Sequence, residues 1–118
     1  MDRKKIGNRG EDIAVEYLKK KRYSIVARNF KRKTGEIDIV AKRKKDIVFV
    51  EVKVVNESSA LHEKLDYKKQ QEIIRTGQWY LSENGMEHGV PWQIDLIAVD
   101  ADSKTVCVHI ERAVEAFL

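Results

Sequence analysis

A chain of 118 residues has room for one ordinary domain with a buried core, expected here over 1–118, and not for two. With 42% hydrophobic and 36% charged residues, one proline and six glycines, the composition excludes disorder and low complexity. No apolar run nears the roughly 18 residues of a membrane span, and Met1-Asp2-Arg3-Lys4-Lys5 lacks the apolar stretch of a signal peptide. A cytoplasmic protein with no membrane partner is therefore expected.

The net charge of +4 is unevenly spread. Residues 19–45 hold 12 Lys or Arg against two acids, Glu36 and Asp38, a local net of +10, while the other residues carry 11 basic and 17 acidic side chains, a net of −6. Charge segregated in this way attracts phosphate backbones, so the expected partner is DNA.

In chain order, Ile6, Gly10, Ile13, Ala14, Tyr17 and Leu18 recur at helical spacing and predict an amphipathic helix over residues 3 to 21. Ser24 to Phe30, Ile37 to Lys42 and Ile47 to Val55 read as strands enriched in Val and Ile, with Lys44-Lys45-Asp46 as the turn between the last two. A polar stretch from Asn56 to Glu63 leads into a second helix, about Leu65 to Leu81, closed by Asn84-Gly85 and Gly89-Val90-Pro91. Strands follow at Gln93 to Val99 and Thr105 to Ile110, and the tail Arg112 to Leu118 suits a short closing helix. The order α-β-β-β-α-β-β predicts an α/β domain with a mixed central sheet flanked by helices.

Closing the second and third strands so that Arg43 faces Asp46 makes directly opposed residues sum to 89. Asp38 then faces Glu51 and Glu36 faces Lys53. All four share one side of the sheet, and Ile37, Ile39 and Ala41 oppose Val48, Val50 and Val52 on the other. Three carboxylates and one ammonium in the middle of a covered sheet are costly to bury unless something supplies positive charge. A divalent cation does so. Mg²⁺, or Mn²⁺ in its place, takes one or two carboxylates, keeps several waters and accepts phosphate oxygens. Asp38 and Glu51 are the expected metal ligands, and Lys53 the residue that orients water and offsets charge in the transition state. The alternative reading of the same residues is a cross-strand salt-bridge cluster.

On the second helix, the stripe Ile73, Gly77, Tyr80 and Leu81 extended back one turn brings Lys69 and Gln70 toward the sheet. With Lys31, Arg32 and Lys33 they are the expected nucleic-acid contacts. His62, His88 and His109 have no partner at zinc-ligand spacing, and Ser58 and Ser59 lie in no nucleophile elbow. Cys107 is expected as a buried structural thiol, and Trp79 and Trp92 as core residues.

GEIDIV at Gly35 to Val40 and VFVEVK at Val48 to Lys53 follow a helix carrying Gly10-Glu11, Ala14 and Tyr17-Leu18. With Asn29 and the closing His109-Ile110-Glu111 and Ala116-Phe117, these resemble the YraN family of uncharacterised bacterial proteins over nearly the whole chain. That family is related to archaeal Holliday junction resolvases of the restriction-endonuclease-like fold, within the PD-(D/E)xK nucleases. The resemblance implies a metal-dependent endonuclease acting on DNA, branched or junction DNA included, working as a homodimer. It implies metal binding by Asp38 and Glu51, catalysis by Lys53, and assistance from Glu11 and Lys69. The chain departs from the family pattern at Val55 and Gln93, where arginines are usual, and in lacking a Phe-Gly in the loop after the third strand. These departures touch phosphate contacts and leave open a catalytically inactive nucleic-acid-binding relative. A third reading is a protein that docks an acidic partner through its basic surface.

Overall fold

The computed structural model describes residues 3–56 and 66–114. Helix α1 (Arg3–Lys20) is followed by strands β1 (Ser24–Arg32), β2 (Gly35–Arg43) and β3 (Asp46–Val55), then helix α2 (Tyr67–Glu83), and strands β4 (Trp92–Asp100) and β5 (Thr105–Ile110). The five strands form one mixed sheet in the order β1-β2-β3-β4-β5, antiparallel throughout except for the parallel pair β3 and β4. The parallel pair is joined through α2, as a crossover requires. No helix among the described residues is long and apolar enough to cross a membrane.

Helix α1 covers one face. Ala14, Val15 and Leu18 pack with Ile39, Ala41, Val48, Val50, Ile97 and Val99. The helix ends because Arg22 adopts a left-handed φ of 70°, which lets Tyr23 N–H reach back to the Leu18 carbonyl at 3.0 Å. Helix α2 covers the other face, where Ile73, Tyr80 and Leu81 pack with Ile37, Val40, Ile47, Phe49, Ile94 and Leu96. Its first turn is capped by Asp66, whose carboxylate accepts from Lys69 N–H at 2.8 Å. Gly77 lets the helix approach closely, since a Cβ there would lie 2.7 Å from the Phe49 ring.

The β2–β3 hairpin has the expected register, from Arg43↔Asp46 to Ile39↔Val50, about the two-residue turn Lys44-Lys45, with Lys44 at φ 58°. One expectation about its faces is corrected. Ile37 belongs to the α2 side with Val40, whereas Ile39 and Ala41 lie on the α1 side. The alternation of β2 therefore breaks between Ile37 and Ile39, at Asp38. Strand β1 breaks at the same level: Ala27 and Phe30, of opposite parity, both pack on the α2 side, and Asn29 between them has φ 53°. Pairs Arg28↔Ile39 and Phe30↔Ile37 set Asn29 opposite Asp38. A left-handed residue in a strand reverses which face its neighbours use, and spacing alone cannot reveal it.

Two further expectations are corrected. Cys107 is exposed, because Ala98 pairs with Val108 and Val99 with Val106, leaving Cys107 as the extra residue of a bulge on an edge strand. Trp79 is 38% exposed, on the side of α2 away from the buried stripe, whereas Trp92 packs beside Phe49 with ring centroids 5.9 Å apart. Of the expected closing helix, Arg112 to Val114 form a turn and bend; residues 115–118, with 57–65, lie outside the described residues.

Candidate functional site

Beyond Ile39↔Val50 the β2–β3 ladder gives way, and the Asp38 side chain takes a bond that backbone would otherwise make: Val52 N–H donates to Asp38 Oδ2 at 2.8 Å. Glu51 follows Phe49 on the α2 side of β3 and is almost fully buried. Glu51 stands close enough for its charge to act on the Asp38 carboxyl, so the expected meeting of Asp38 and Glu51 is present. Burial, then the hydrogen bond and charge of Glu51, push the Asp38 carboxyl up to about 8, against the pull of Val52 N–H and Lys69.

Lys69 points inward from the first turn of α2, its Nζ 3.3 Å from Glu51 Oε2. Partial burial works against the ammonium, but the charge and hydrogen bond of Glu51, with Asp38 and Glu72 behind it, outweigh burial and raise its pKa. Lys53 is two residues beyond Glu51, on the same side by alternation and half-buried. Gln70 is half-buried on the same helix turn as Lys69.

From the α1 side the acids are approached by Glu11, itself nearly buried. Asn29 Nδ2 donates to both Glu11 oxygens, at 3.0 and 3.2 Å, and to Glu36 Oε1 at 3.1 Å. Burial raises the Glu11 pKa most; Asn29 and Arg28 lower it, and the charges of Asp38 and Glu36 raise it further. Glu36 is thus tied to Glu11 through Asn29. Arg28 makes its shortest contact with Asp12, at 2.7 Å, and stands 3.6 Å from Glu11.

The basic segment divides into two ends of the molecule. Lys31 and Lys33 are exposed beside the β1–β2 turn, near the acids, whereas Lys19, Lys20, Lys21 and Arg22 lie with Lys42, Lys44 and Lys45 where Ser24 pairs with Lys42. Arg32 is engaged: its guanidinium forks onto Glu83 at 2.6 and 2.5 Å and lies 4.1 Å from the centroid of the Phe30 ring. It ties β1 to the end of α2.

Among the described residues no three His, Cys, Asp or Glu side chains converge as a preformed ligand set. Two acids suffice for Mg²⁺, which keeps several of its own waters. The chemistry of the donors fits that ion: two hard carboxyl groups side by side, whose mutual repulsion a cation relieves, beside a lysine able to meet an anion. His109 serves elsewhere, on the α1 side. Its Nε2 is 2.8 Å from Asp95 Oδ2 and its Nδ1 is 2.9 Å from the Tyr17 hydroxyl, while Gln93 Nε2 and Arg112 N–H donate to Asp95 Oδ1. A fully buried carboxylate is thereby satisfied, and Gln93 is committed to it. Sequence reasoning missed this network and the bridging role of Asn29, since both depend on which strands become neighbours.

The family model for uncharacterised protein family UPF0102 matches residues 10–99, a span that contains all of these acids. A UPF0102 protein of Campylobacter jejuni subsp. jejuni (strain 81-176) is 41% identical over 101 residues, covering 86% of this chain and 88% of the relative. A UPF0102 protein of Caldanaerobacter subterraneus subsp. tengcongensis is 41% identical over 101 residues, covering 84% of this chain and 82% of its own length. A third, from Chloroflexus aurantiacus, is 38% identical over 99 residues with the same coverage, 84% and 82%.

Proposed function

We propose that this chain, which belongs to the UPF0102 family, is a metal-dependent endonuclease that hydrolyses phosphodiester bonds in DNA. The observation that carries the reading is the pair of adjacent carboxyls, Asp38 and nearly buried Glu51, at the point where two central strands part. Such a pair is costly to keep for structure alone, and a divalent cation relieves it.

Asp38 and Glu51 would hold Mg²⁺ or Mn²⁺, which supplies a hydroxide at neutral pH and polarises the phosphodiester. Lys53 orients the attacking water and offsets charge gathering on the phosphate. Lys69, already beside Glu51, meets the phosphate oxygens, with Gln70 as a further donor. Lys31 and Lys33 hold the flanking backbone by charge. Preference for branched or junction DNA rests on the family resemblance read from the sequence alone, as does action as a homodimer, in which two copies present two sites for two strands.

Incubation with duplex, single-stranded, flap and four-way junction DNA, in Mg²⁺, Mn²⁺ or chelator, tests the reading. Cutting of at least one substrate in metal and of none in chelator is expected; cutting that persists in chelator rejects the metal site. A second reading, a DNA-binding relative without catalysis, is favoured by the ion pair that Lys69 already makes with Glu51. Salt-sensitive DNA binding with no cleavage in either metal would establish it.

A further inference from the structure

Asn29 has two unusual properties in one residue. Its backbone occupies the left-handed region, φ 53°, inside a strand, where a non-glycine residue is strained. Its single carboxamide nitrogen serves two carboxylates from different elements, Glu11 of α1 and Glu36 of β2, and it stands opposite Asp38 in the β1–β2 ladder. The two features are coupled, because the left-handed turn sets which way the side chain leaves the strand. Asparagine is among the few side chains that tolerate that backbone, and it donates without carrying charge. A lysine or arginine in its place would neutralise the acids; the amide orders them and leaves their negative charge in place. The nearby cation, Arg28, makes its shorter contact with Asp12, at 2.7 Å, and stands 3.6 Å from Glu11.

We propose that Asn29 is a positioning residue, holding Glu11 and Glu36 in fixed orientation alongside Asp38 so that Glu11 takes part in the chemistry as an oriented acid. The assignment of that chemistry rests on the nuclease reading above; the positioning itself does not. Asparagine is present for its amide, and the strained backbone is what aims it. Were the backbone the only requirement, glycine would serve as well.

The test compares Asn29→Gly, which keeps a left-handed backbone without strain, with Asn29→Ala, which keeps neither feature, and combines Asn29→Gly with Glu11→Gln. Asn29→Gly should melt close to wild type and above Asn29→Ala, yet lose about tenfold or more in kcat with KM for DNA within about twofold, as loss of an oriented acid would. The double variant should cut within about twofold of Glu11→Gln alone, because two residues acting as one unit are not additive. Wild-type kcat in Asn29→Gly, or losses that multiply in the double variant, overturn the proposal. Should wild-type protein cut nothing, the nuclease reading falls and the positioning is judged by NMR. Displacement of both the Glu11 and Glu36 carboxyl ¹³C signals in Asn29→Gly, with Glu16 unmoved, supports it, and unmoved Glu11 and Glu36 signals overturn it.

Discussion

Asp38 binds a proton more tightly in the folded chain than it would unfolded, up to about 8 against an ordinary 3.8, because burial and Glu51 both disfavour its charge. Between those two values the folded state holds more protons than the unfolded one, so stability falls as pH rises. In chelator, the unfolding free energy from denaturant titration should be greatest near pH 4 and decline toward pH 8. Mg²⁺ or Mn²⁺ should reduce the decline, since a cation meets the same charge as the proton. A flat profile in chelator would mean that burial and Glu51 do not hold a proton on Asp38. At this scale counting along two strands was informative as far as the meeting of Asp38 with Glu51, with Lys53 two residues beyond. Glu36 and Ile37 did not follow, because β1 and β2 both break their alternation at the level of Asn29 and Asp38, and no spacing rule announces it.

Among the elements, α2 carries the consequences of close packing, since it brings Lys69 to Glu51. Adding a methyl at Gly77 would set it 2.7 Å from the Phe49 ring, which Tyr80 and Trp92 hold on either side at 5.9 Å. Alanine gains up to about 1 kcal/mol over glycine in helix propensity. Overpacking a filled core costs about 1 to 3 kcal/mol, so the cost prevails. Gly77→Ala should therefore lower the denaturant midpoint, and it should also weaken DNA cleavage by shifting α2 and Lys69 away from Glu51. A midpoint equal to or above wild type would mean the helix rides higher than described. Strand β1 makes a separate distinction. Lys31 and Lys33 are exposed, whereas Arg32 is held by Glu83 and Phe30. Lys31→Glu with Lys33→Glu should weaken DNA binding at unchanged melting temperature, and Arg32→Ala should chiefly lower the melting temperature. Three consecutive basic letters look alike in sequence; the alternation of a strand and the arrival of α2 beside it tell them apart.

For the whole molecule, the element order and the sheet class were legible because hydrophobic period and turn residues agree along the chain: a 3.6-residue stripe in α1, Lys44-Lys45 at the hairpin, apolar runs in the doubly covered β3 and β4. The bulge that exposes Cys107 and the buried network of Asp95, His109 and Tyr17 were not, since both arise from long-range strand neighbours. The basic run likewise becomes two surfaces: Lys44 lies six positions beyond Asp38, about 20 Å of extended strand. Lys31 and Lys33 lie at the near end, so their reversal should also reduce the dependence of DNA affinity on salt, by about one unit of slope for each phosphate that is no longer neutralised. An unchanged slope would make that end a solvated surface.

The central claim, that Asp38 and Glu51 form a cation site for phosphodiester hydrolysis, is tested most directly by measuring cleavage and DNA affinity together for wild type and Asp38→Asn in Mg²⁺ and in chelator. The substitution keeps the side-chain volume and removes a negative ligand. Cleavage by wild type in Mg²⁺ alone is expected, with a loss of orders of magnitude in Asp38→Asn and DNA affinity equal or tighter, as one fewer carboxylate repels the backbone. Asp38→Asn protein that cuts as fast as wild type, or wild-type cutting that survives chelator, would contradict it.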